Sequence, residues 1–552
     1  MARPMNDAGT GGRWVLLVLG VLVGAAATAG LISSAMSWME VGRASEAGAA
    51  PLFEAVDSGI DHVYDGDFEH YVGGGLGVFD CNEDGLPDVY VAGGSDPAGL
   101  YVNMSEPEGV LVFEARSDPS TDLTGVTGAY PIDIDSDQMG DLVVLRRGEN
   151  VVLRGLGDCT FEDVTEQFDI GGGDHWTVGF SAFWDDGDAM PTLAFGNYLE
   201  MDSTPNDRRC ANHYLIEPLD GGYSEPRALT PGYCTLSILF SDWGRTGSPD
   251  LRMTNDRHYY TDGSDQMWAM SDTPSEYTSA DGWRPLQIWG MGIASQDLDE
   301  DGLPEVYLTS QGDNKLQTLV DTSGAPTYED IALASGVTAH RPFVGDNLRP
   351  STAWHAEFDD TNNDGYVDLF VTKGNVEEQV DFAAEDPNNL LLGQPDGRFV
   401  EGAQQAGLLD TARSRGGAVV DLNLDGHLDV LVVERREPVK TWRNTGGLND
   451  GTPAGNWLLI DLEQSGPNTD AIGGWIEVEA TGERITKEVT IGGGHGSGEL
   501  GWIHFGLGDD DGARVRVVWP DGEAGEWEDL EANQMVIWDR ETGPEVWTIP
   551  AD

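Results

Sequence analysis

A nine-residue acidic phrase recurs through this chain, and its spacing constrains the fold more than any other feature. FDCNEDGLPD carries Asp80, Asn82, Asp84, Gly85 and Asp88. The pattern returns as Asp133, Asp135, Asp137 and Asp141, then as Asp297, Asp299, Asp301 and Glu305. It returns again as Asp360, Asn362, Asp364 and Asp368, and finally as Asp421, Asn423, Asp425 and Asp429. Oxygen side chains at positions one, three, five and nine around a tight turn suit a hard divalent cation such as Ca2+. A helix–loop–helix hand needs a bidentate Glu at position twelve. That position holds Val91, Val144, Leu308, Val371 and Val432, all in strand-like runs. These are metal loops built into sheets.

Two eroded copies fill the remaining gaps. One keeps Asp186 and Asp188 but has Trp184 and Thr192 at positions one and nine. The other keeps Asp242 and Asp250 around Gly244 and Thr246. Both are expected to hold their shape without a metal. First positions then fall at 80, 133, 184, 242, 297, 360 and 421, spaced 51 to 63 residues apart. Repeats of about 50 residues made of short strands indicate propeller blades, so seven copies predict a seven-bladed β-propeller in an all-β chain. The five intact loops predict about five Ca2+ ions, each structural, because crowded carboxylates repel one another without a cation.

A second phrase supports the count. LFEAVDSGI, VFEARSD, TFEDVTEQF, TYEDIALASGV and RFVEGAQQAGL resemble one another and read as outer strands. The first copy precedes the first acidic loop, whereas the last blade has none behind it. Residues near 52 to 57 are therefore expected to complete blade seven, a clasp that removes an exposed edge. The propeller is placed at residues 51–447.

Trp14 to Met39 carries no charge, and Arg3 and Arg13 precede it. That length spans a bilayer with residues 1–13 inside and 40–50 as a linker. The rival reading is a cleaved signal peptide, with Ala27-Thr28-Ala29 as a small-residue cleavage site. Either reading places the remainder outside the cytoplasm, membrane-anchored or secreted. Cys210 and Cys234 are expected to form a disulfide, and Cys81 with Cys159 is a candidate second pair among three connectivities. The acids number 97 against 30 Lys and Arg, yet the intact loops use only 17 of them. The rest is a solvated acidic exterior that argues against nucleic-acid binding.

Residues 448–552 read differently. Short alternating strands with Gly and Asn-Asp turns predict a small β-sandwich with no acidic loop and no evident nucleophile. At this point a family resemblance becomes specific. The repeats resemble the FG-GAP, or VCBS-type, repeats of integrin α-subunit propellers. The tail resembles the ASPIC/UnbV domain of cartilage-acidic-protein-like secreted proteins, through Asn468 to Gly473, Gly492 to Gly494, His504 to Gly508 and Trp519 to Gly522. The resemblance implies an extracellular calcium-bearing propeller with a binding or adhesion role and no established reaction.

In a propeller the residues six to nine before each acidic loop gather at the opposite mouth of the channel. Here these include His175, Trp176, Trp289, Met291, Trp354, His355, Arg413 and Arg415. Trp176, Trp289, Trp354, His355, Arg413 and Arg415 form a candidate rim for a glycan or anionic ligand. The competing reading is that the tryptophans pack between blades and the arginines pair with acids. A calcium-dependent polysaccharide lyase using Arg413, Arg415 and His355 is the enzymatic alternative, and a protein–protein scaffold is the third. His504 is expected to be a packed, hydrogen-bonded residue.

Overall fold

A computed structural model describes residues 49–548, apart from 171–172, 186, 220–221, 257–262, 272, 322–324, 339–348 and 378. The expected membrane or signal segment at 14–39 lies outside the described residues, as does Asp186. Among the described residues no helix is long and apolar enough to cross a membrane.

Seven four-stranded units are arranged as propeller blades, those of blades two and three joined into one sheet where His175 and Trp176 pair with Gly148 and Arg147. Their inner strands are Leu76–Phe79, Val126–Ile132, His175–Phe183, Thr235–Ser241, Gly290–Gln296, Ala353–Asp359 and Ser414–Val420. The second strands begin at Asp88, Asp141, Thr192, Asp250, Glu305, Asp368 and Asp429. Position nine of each phrase therefore opens the second strand. In every blade it pairs with the residue just before position one, as in Phe79↔Asp88, Ile132↔Asp141 and Val420↔Asp429. One register thus repeats around the ring, and the acidic loops all lie on one face.

The clasp is present. Pro51–Val56 pairs antiparallel with Lys440–Leu448, the third strand of blade seven. Phe53 then packs with Trp442, Val430 and Val432 in that blade's core. The second recurrent phrase contributes outer strands such as Phe161–Asp163, Thr327–Asp330 and Phe399–Glu401, each followed by a one-turn helix.

Both disulfides form. Cys81–Cys159 ties the first loop to blade two, and Cys210–Cys234 ties blade three to blade four.

The tail is a sandwich of two four-stranded sheets. One runs Ile503–Gly508, Asn456–Glu463, Gln534–Asp539, Gly543–Trp547; the other runs Glu483–Glu488, Trp475–Ala480, Gly512–Val518, Glu528–Glu531. Alternation along these strands buries Leu458, Ile460, Ile476, Val478, Val515 and Val517 between them.

Propeller and sandwich are one body, and Gly48–Asp552 form a single compact unit. Residues 491–499, between the strands ending at Glu488 and starting at Ile503, run through the propeller channel. Ile491 bridges Ala182, Gly492 bridges Leu239, Gly494 bridges Ile293 and Ser497 bridges Ala129. Gly498–Glu499 adds a short parallel strand to Leu76–Phe79. The His495 ring lies 5.0 Å from Trp354 at a 59° tilt, and a Cβ on Gly416 would meet Ser497. All seven inner strands thus touch this segment. Glycine is required here because the channel walls leave no room: a Cβ on Gly75 would lie 1.8 Å from the Gly496 carbonyl oxygen, and one on Gly128 2.2 Å from it.

Gly75→Ala should therefore destabilise the protein by about 2–3 kcal/mol, the usual cost of overpacking a closed site, read as a lower urea midpoint. Replacing Cys81 and Cys159 together by Ser removes a cross-link across 78 residues. It should cost about 4 kcal/mol in the same assay.

Candidate functional site

The five intact loops share a hydrogen-bond plan with one departure: in the blade-five loop Asp297 accepts from position six, Gly302 N at 3.1 Å, while Asp301 N donates to Asp299 at 3.2 Å. The position-one carboxylate accepts the N–H groups of positions five and six, at 3.0 and 2.9 Å for Asp133, 3.1 and 2.7 Å for Asp360, and 3.1 and 2.6 Å for Asp421. The position-five carboxylate accepts the N–H of position seven, as Leu86 to Asp84 at 2.9 Å and Leu303 to Asp301 at 2.8 Å. To make this turn, position four adopts the left-handed conformation in Glu83, Ser136, Glu300, Asn363 and Leu424, with φ between 57° and 63°. Position six does the same, which explains the glycine at Gly85, Gly302, Gly365 and Gly426, while Gln138 takes this conformation in the second loop.

Position nine has a second duty that its spacing did not disclose. One oxygen accepts the N–H of position two, at 2.9 Å for Asp88, Asp141 and Glu305. The other accepts from the third strand, as Asn103 to Asp88 at 2.8 Å and Asn444 to Asp429 at 2.8 Å. This carboxylate fastens the loop to its blade as well as facing it.

The donor set passes a test of fit for a hard cation. Carboxylate oxygens of Asp133, Asp135 and Asp141 lie within 4.8 Å of one another, as do those of Asp297, Asp299 and Glu305. Asp135 Oδ1, Asp297 Oδ1 and Asn423 Oδ1 are buried with no hydrogen-bond partner. Desolvation, aided by neighbouring acids, pushes Asp88, Asp297 and Glu305 up to about 7 and Asp141 up to about 8. Burial likewise raises Asp360, Asp368 and Asp429 well above the carboxylate range. Holding these groups ionised calls for a compensating positive charge.

The fourth loop shows how a copy keeps this shape without a full donor set. Arg245 and Gly247 are left-handed at positions four and six, and Asp242 accepts the N–H groups of Thr246 and Gly247 at 2.8 and 2.6 Å. Thr246, at position five where the intact copies have Asp, donates its hydroxyl to Asp242 at 3.2 Å, and the indole of Trp243 at position two donates to Asp250 at 2.7 Å.

The sandwich sits on these loops. Asn468 N donates to Ser136 Oγ at 3.1 Å, Arg245 pairs with Glu477 at 2.8 Å, and Arg484 N donates to Glu300 at 3.2 Å. Gly508 N donates to the Asn363 carbonyl at 2.9 Å. Leu424 packs with Leu86, Leu459 and Met535 beneath Trp457, Trp502 and Trp547. Position four is the contact in each of these loops except the first, where position seven, Leu86, takes that part. His504 is buried and bonds Asp359 at 3.2 Å, in keeping with a packed role.

The expected ligand rim needs correction. Trp176, Trp354, His355 and Arg415 do converge near the axis, but each is at most 4 % exposed. Two segments enclose them. From one side comes the glycine segment, whose His495 accepts from Gly73 N at 3.2 Å, donates to the Met291 carbonyl at 3.1 Å and receives no access to water. From the other side residues 66–73 cover the mouth. Phe68 meets Trp176 edge-on at 5.7 Å, and Arg415 donates to the Tyr71 carbonyl at 3.0 Å while lying 4.1 Å over Trp354. Trp289 and Arg413 are partly buried at the periphery, and Arg413 pairs with Glu377 at 3.6 Å. The rim therefore presents no open aromatic platform. Its closure had a visible signal in the sequence: GGGHGSG, a run without side chains long enough to thread a channel. Outside the closed mouth, Asp65, Asp67, Glu69, His70, Arg147 and Arg436 line an open polar cleft of about 590 Å³.

Comparison with known proteins agrees with this division. Residues 360–432 match the FG-GAP-like repeat family, and residues 464–544 match ASPIC and UnbV. Cartilage acidic protein 1 of Homo sapiens is 27% identical over 255 residues, 42% of this chain and 33% of that protein. The protein of the same name from Xenopus tropicalis is 26% identical over 261 residues, 42% and 34% of the two chains. The match thus spans about a third of these relatives' length. Among solved structures, BBS1N in complex with ARL6DN, soaked with lead, is 9% identical with a TM-score of 0.42, covering 72% of this chain and 98% of that one. YCF48 from Cyanidioschyzon merolae is 9% identical with a TM-score of 0.39, covering 71% and 98%.

Burial lowers His355 and His495 to about 3. Their imidazole NMR signals should therefore stay constant from pH 8 to pH 5. An inflection near pH 6.5, where a solvated imidazole titrates, would mean that the channel is open to water.

Proposed function

From a chain that joins FG-GAP-like repeats to an ASPIC/UnbV domain, we propose an extracytoplasmic, calcium-stabilised binding module that engages a protein partner on its outer surface. About five Ca2+ ions occupy the loops of blades one, two, five, six and seven. The observation that carries this reading is the set of buried, unpartnered oxygens at ligand positions, Asp135 Oδ1, Asp297 Oδ1 and Asn423 Oδ1, inside loops already closed by backbone donors. Calcium's role is structural: when bound it neutralises the raised carboxylates, and the residues around it hold the turn between inner and second strands. At free calcium a hundredfold above its dissociation constant, each independent site contributes about 2.7 kcal/mol.

Two disulfides fit an oxidising compartment outside the cytoplasm. Residues 14–39 tether the module to a membrane where they are uncleaved. The partner is a protein because the aromatic and guanidinium groups suited to a sugar are enclosed, and a lyase acting through His355 and Arg415 lacks access to its substrate. A glycan ligand is the second reading, placed at the partly exposed Trp289.

Chelation should lower the melting temperature by several degrees. Asp425→Ala should reduce the calcium bound per chain, measured by elemental analysis, by about one ion. An unchanged melt in chelator would remove the structural role. Retention of the protein on a glycan surface that is lost in Trp289→Ala would replace the protein partner by a sugar.

A further inference from the structure

The two contacts that join sandwich to propeller are mechanically linked, and the link runs through the acidic loops. The channel segment is held between the strands Glu483–Glu488 and Ile503–Gly508, with few residues of slack on either side. Those strands belong to the sheets that rest on the loops. If the sandwich lifts, the segment must leave the channel with it. The only covalent tether between the bodies, residues 449–455, reaches roughly 25 Å when extended, enough for the sandwich to tip away while attached.

The sandwich is held down by a shared core around Ile491, by contacts on the inner strands such as Lys487 to Asp359 at 3.0 Å, and by the position-four residues of the loops, which are the contacts an ion can reach. The position-four residue lies between ligand positions three and five and has a left-handed backbone in Ser136, Glu300, Asn363 and Leu424. A ligand set drawn together around an ion fixes its direction. Carboxylates repelling one another without an ion do not. Two ligands also touch the sandwich directly. Thr469 Oγ1 donates to Asp133, and a Cβ on Gly506 would lie 1.9 Å from Asp360 Oδ2. The segment itself is bound by backbone groups, Gly493 N to the Ile238 carbonyl at 2.7 Å, Gly494 N to the Ile293 carbonyl at 2.7 Å and Ala129 N to the Gly496 carbonyl at 3.1 Å, by side chains such as Tyr130, whose hydroxyl donates to the Gly493 carbonyl at 3.0 Å, and by the buried Ile491. Water can replace most of these hydrogen bonds when the segment withdraws, so the docking contacts weigh heavily in keeping it inserted.

We propose that the sandwich is a calcium-controlled stopper. Filled loops hold it on the propeller face with Ile491 to Glu499 in the channel. Emptied loops release it, and the withdrawn segment uncovers the wall that carries Trp354, His355 and Arg415. This rests on the calcium reading above and goes beyond it, since a purely structural ion would stabilise blades without moving the channel segment.

The test is hydrogen exchange on the whole chain in calcium and in chelator, with bound calcium counted in parallel. Chelation should speed exchange at 491–499 by tenfold or more while second strands such as Asp429–Glu434 stay protected. Gly128→Ala should show fast exchange at 491–499 even in calcium, with its calcium count unchanged, because its Cβ excludes the segment without touching a loop. Should that variant not fold, the wild-type comparison still decides. Calcium bound with no change at 491–499 on chelation overturns the stopper and leaves the structural role standing. Equal acceleration in every blade also overturns it. No bound calcium overturns both.

Discussion

The position-one carboxylate is the interaction on which the remainder depends. By accepting two consecutive N–H groups, Asp80, Asp133, Asp360 and Asp421 each fold five residues into a turn of one shape. That shape brings position nine opposite the residue before position one, and so sets the register of the second strand on the inner one. A slip of one residue would turn the core face of a strand to solvent. The turn has no hydrophobic content of its own, yet it decides which side chains become core.

A ring of blades leaves inner strand edges facing an axis, with backbone groups that need partners. In this protein a glycine-rich backbone supplies many of them, and residues 66–73 complete the closure from the other side. Because the segment belongs to the sandwich, the two parts share a core, with Ile491 grouped with both Phe180 of blade three and Phe505 of the tail. The tail is thus part of how the propeller fills its centre, and the boundary near residue 448 is a change of architecture within one folded unit.

Much of this was legible because the acidic phrase is local: its turn, its strand register and its copy number follow from residues within nine positions of one another. The clasp was also legible, since an unpaired copy at one end matched a missing strand at the other. The channel was not. Trp176, Trp354, His355 and Arg415 were placed correctly near the axis by their distance from the loops, but exposure depends on what fills the axis. The filler lies far along the chain, at residues 491–499, and has few long side chains to announce itself. Position four was equally silent. Ser136, Arg245, Glu300, Asn363 and Leu424 share no chemistry, because what they have in common is a backbone conformation and a direction.

The fourth loop shows which part of the design is indispensable. Its positions three and five are Gly244 and Thr246 where the other copies have acids or Asn, and a hydroxyl and an indole donate to its two remaining carboxylates. Yet its backbone superimposes in kind on the intact loops through the same left-handed residues, and Arg245 lies 4.7 Å over Trp475 while pairing with Glu477. Burial raises Glu477 and its two arginine partners, Arg245 and Arg516, pull it back below the usual range, so this contact carries its own charge balance. A loop can therefore dispense with acids at positions three and five when a hydroxyl and an indole help close the turn and a guanidinium supplies the docking contact. Loop shape and docking are retained in this copy where the acidic donor set is not, so both depend on the turn and its position-four contact rather than on the carboxylates.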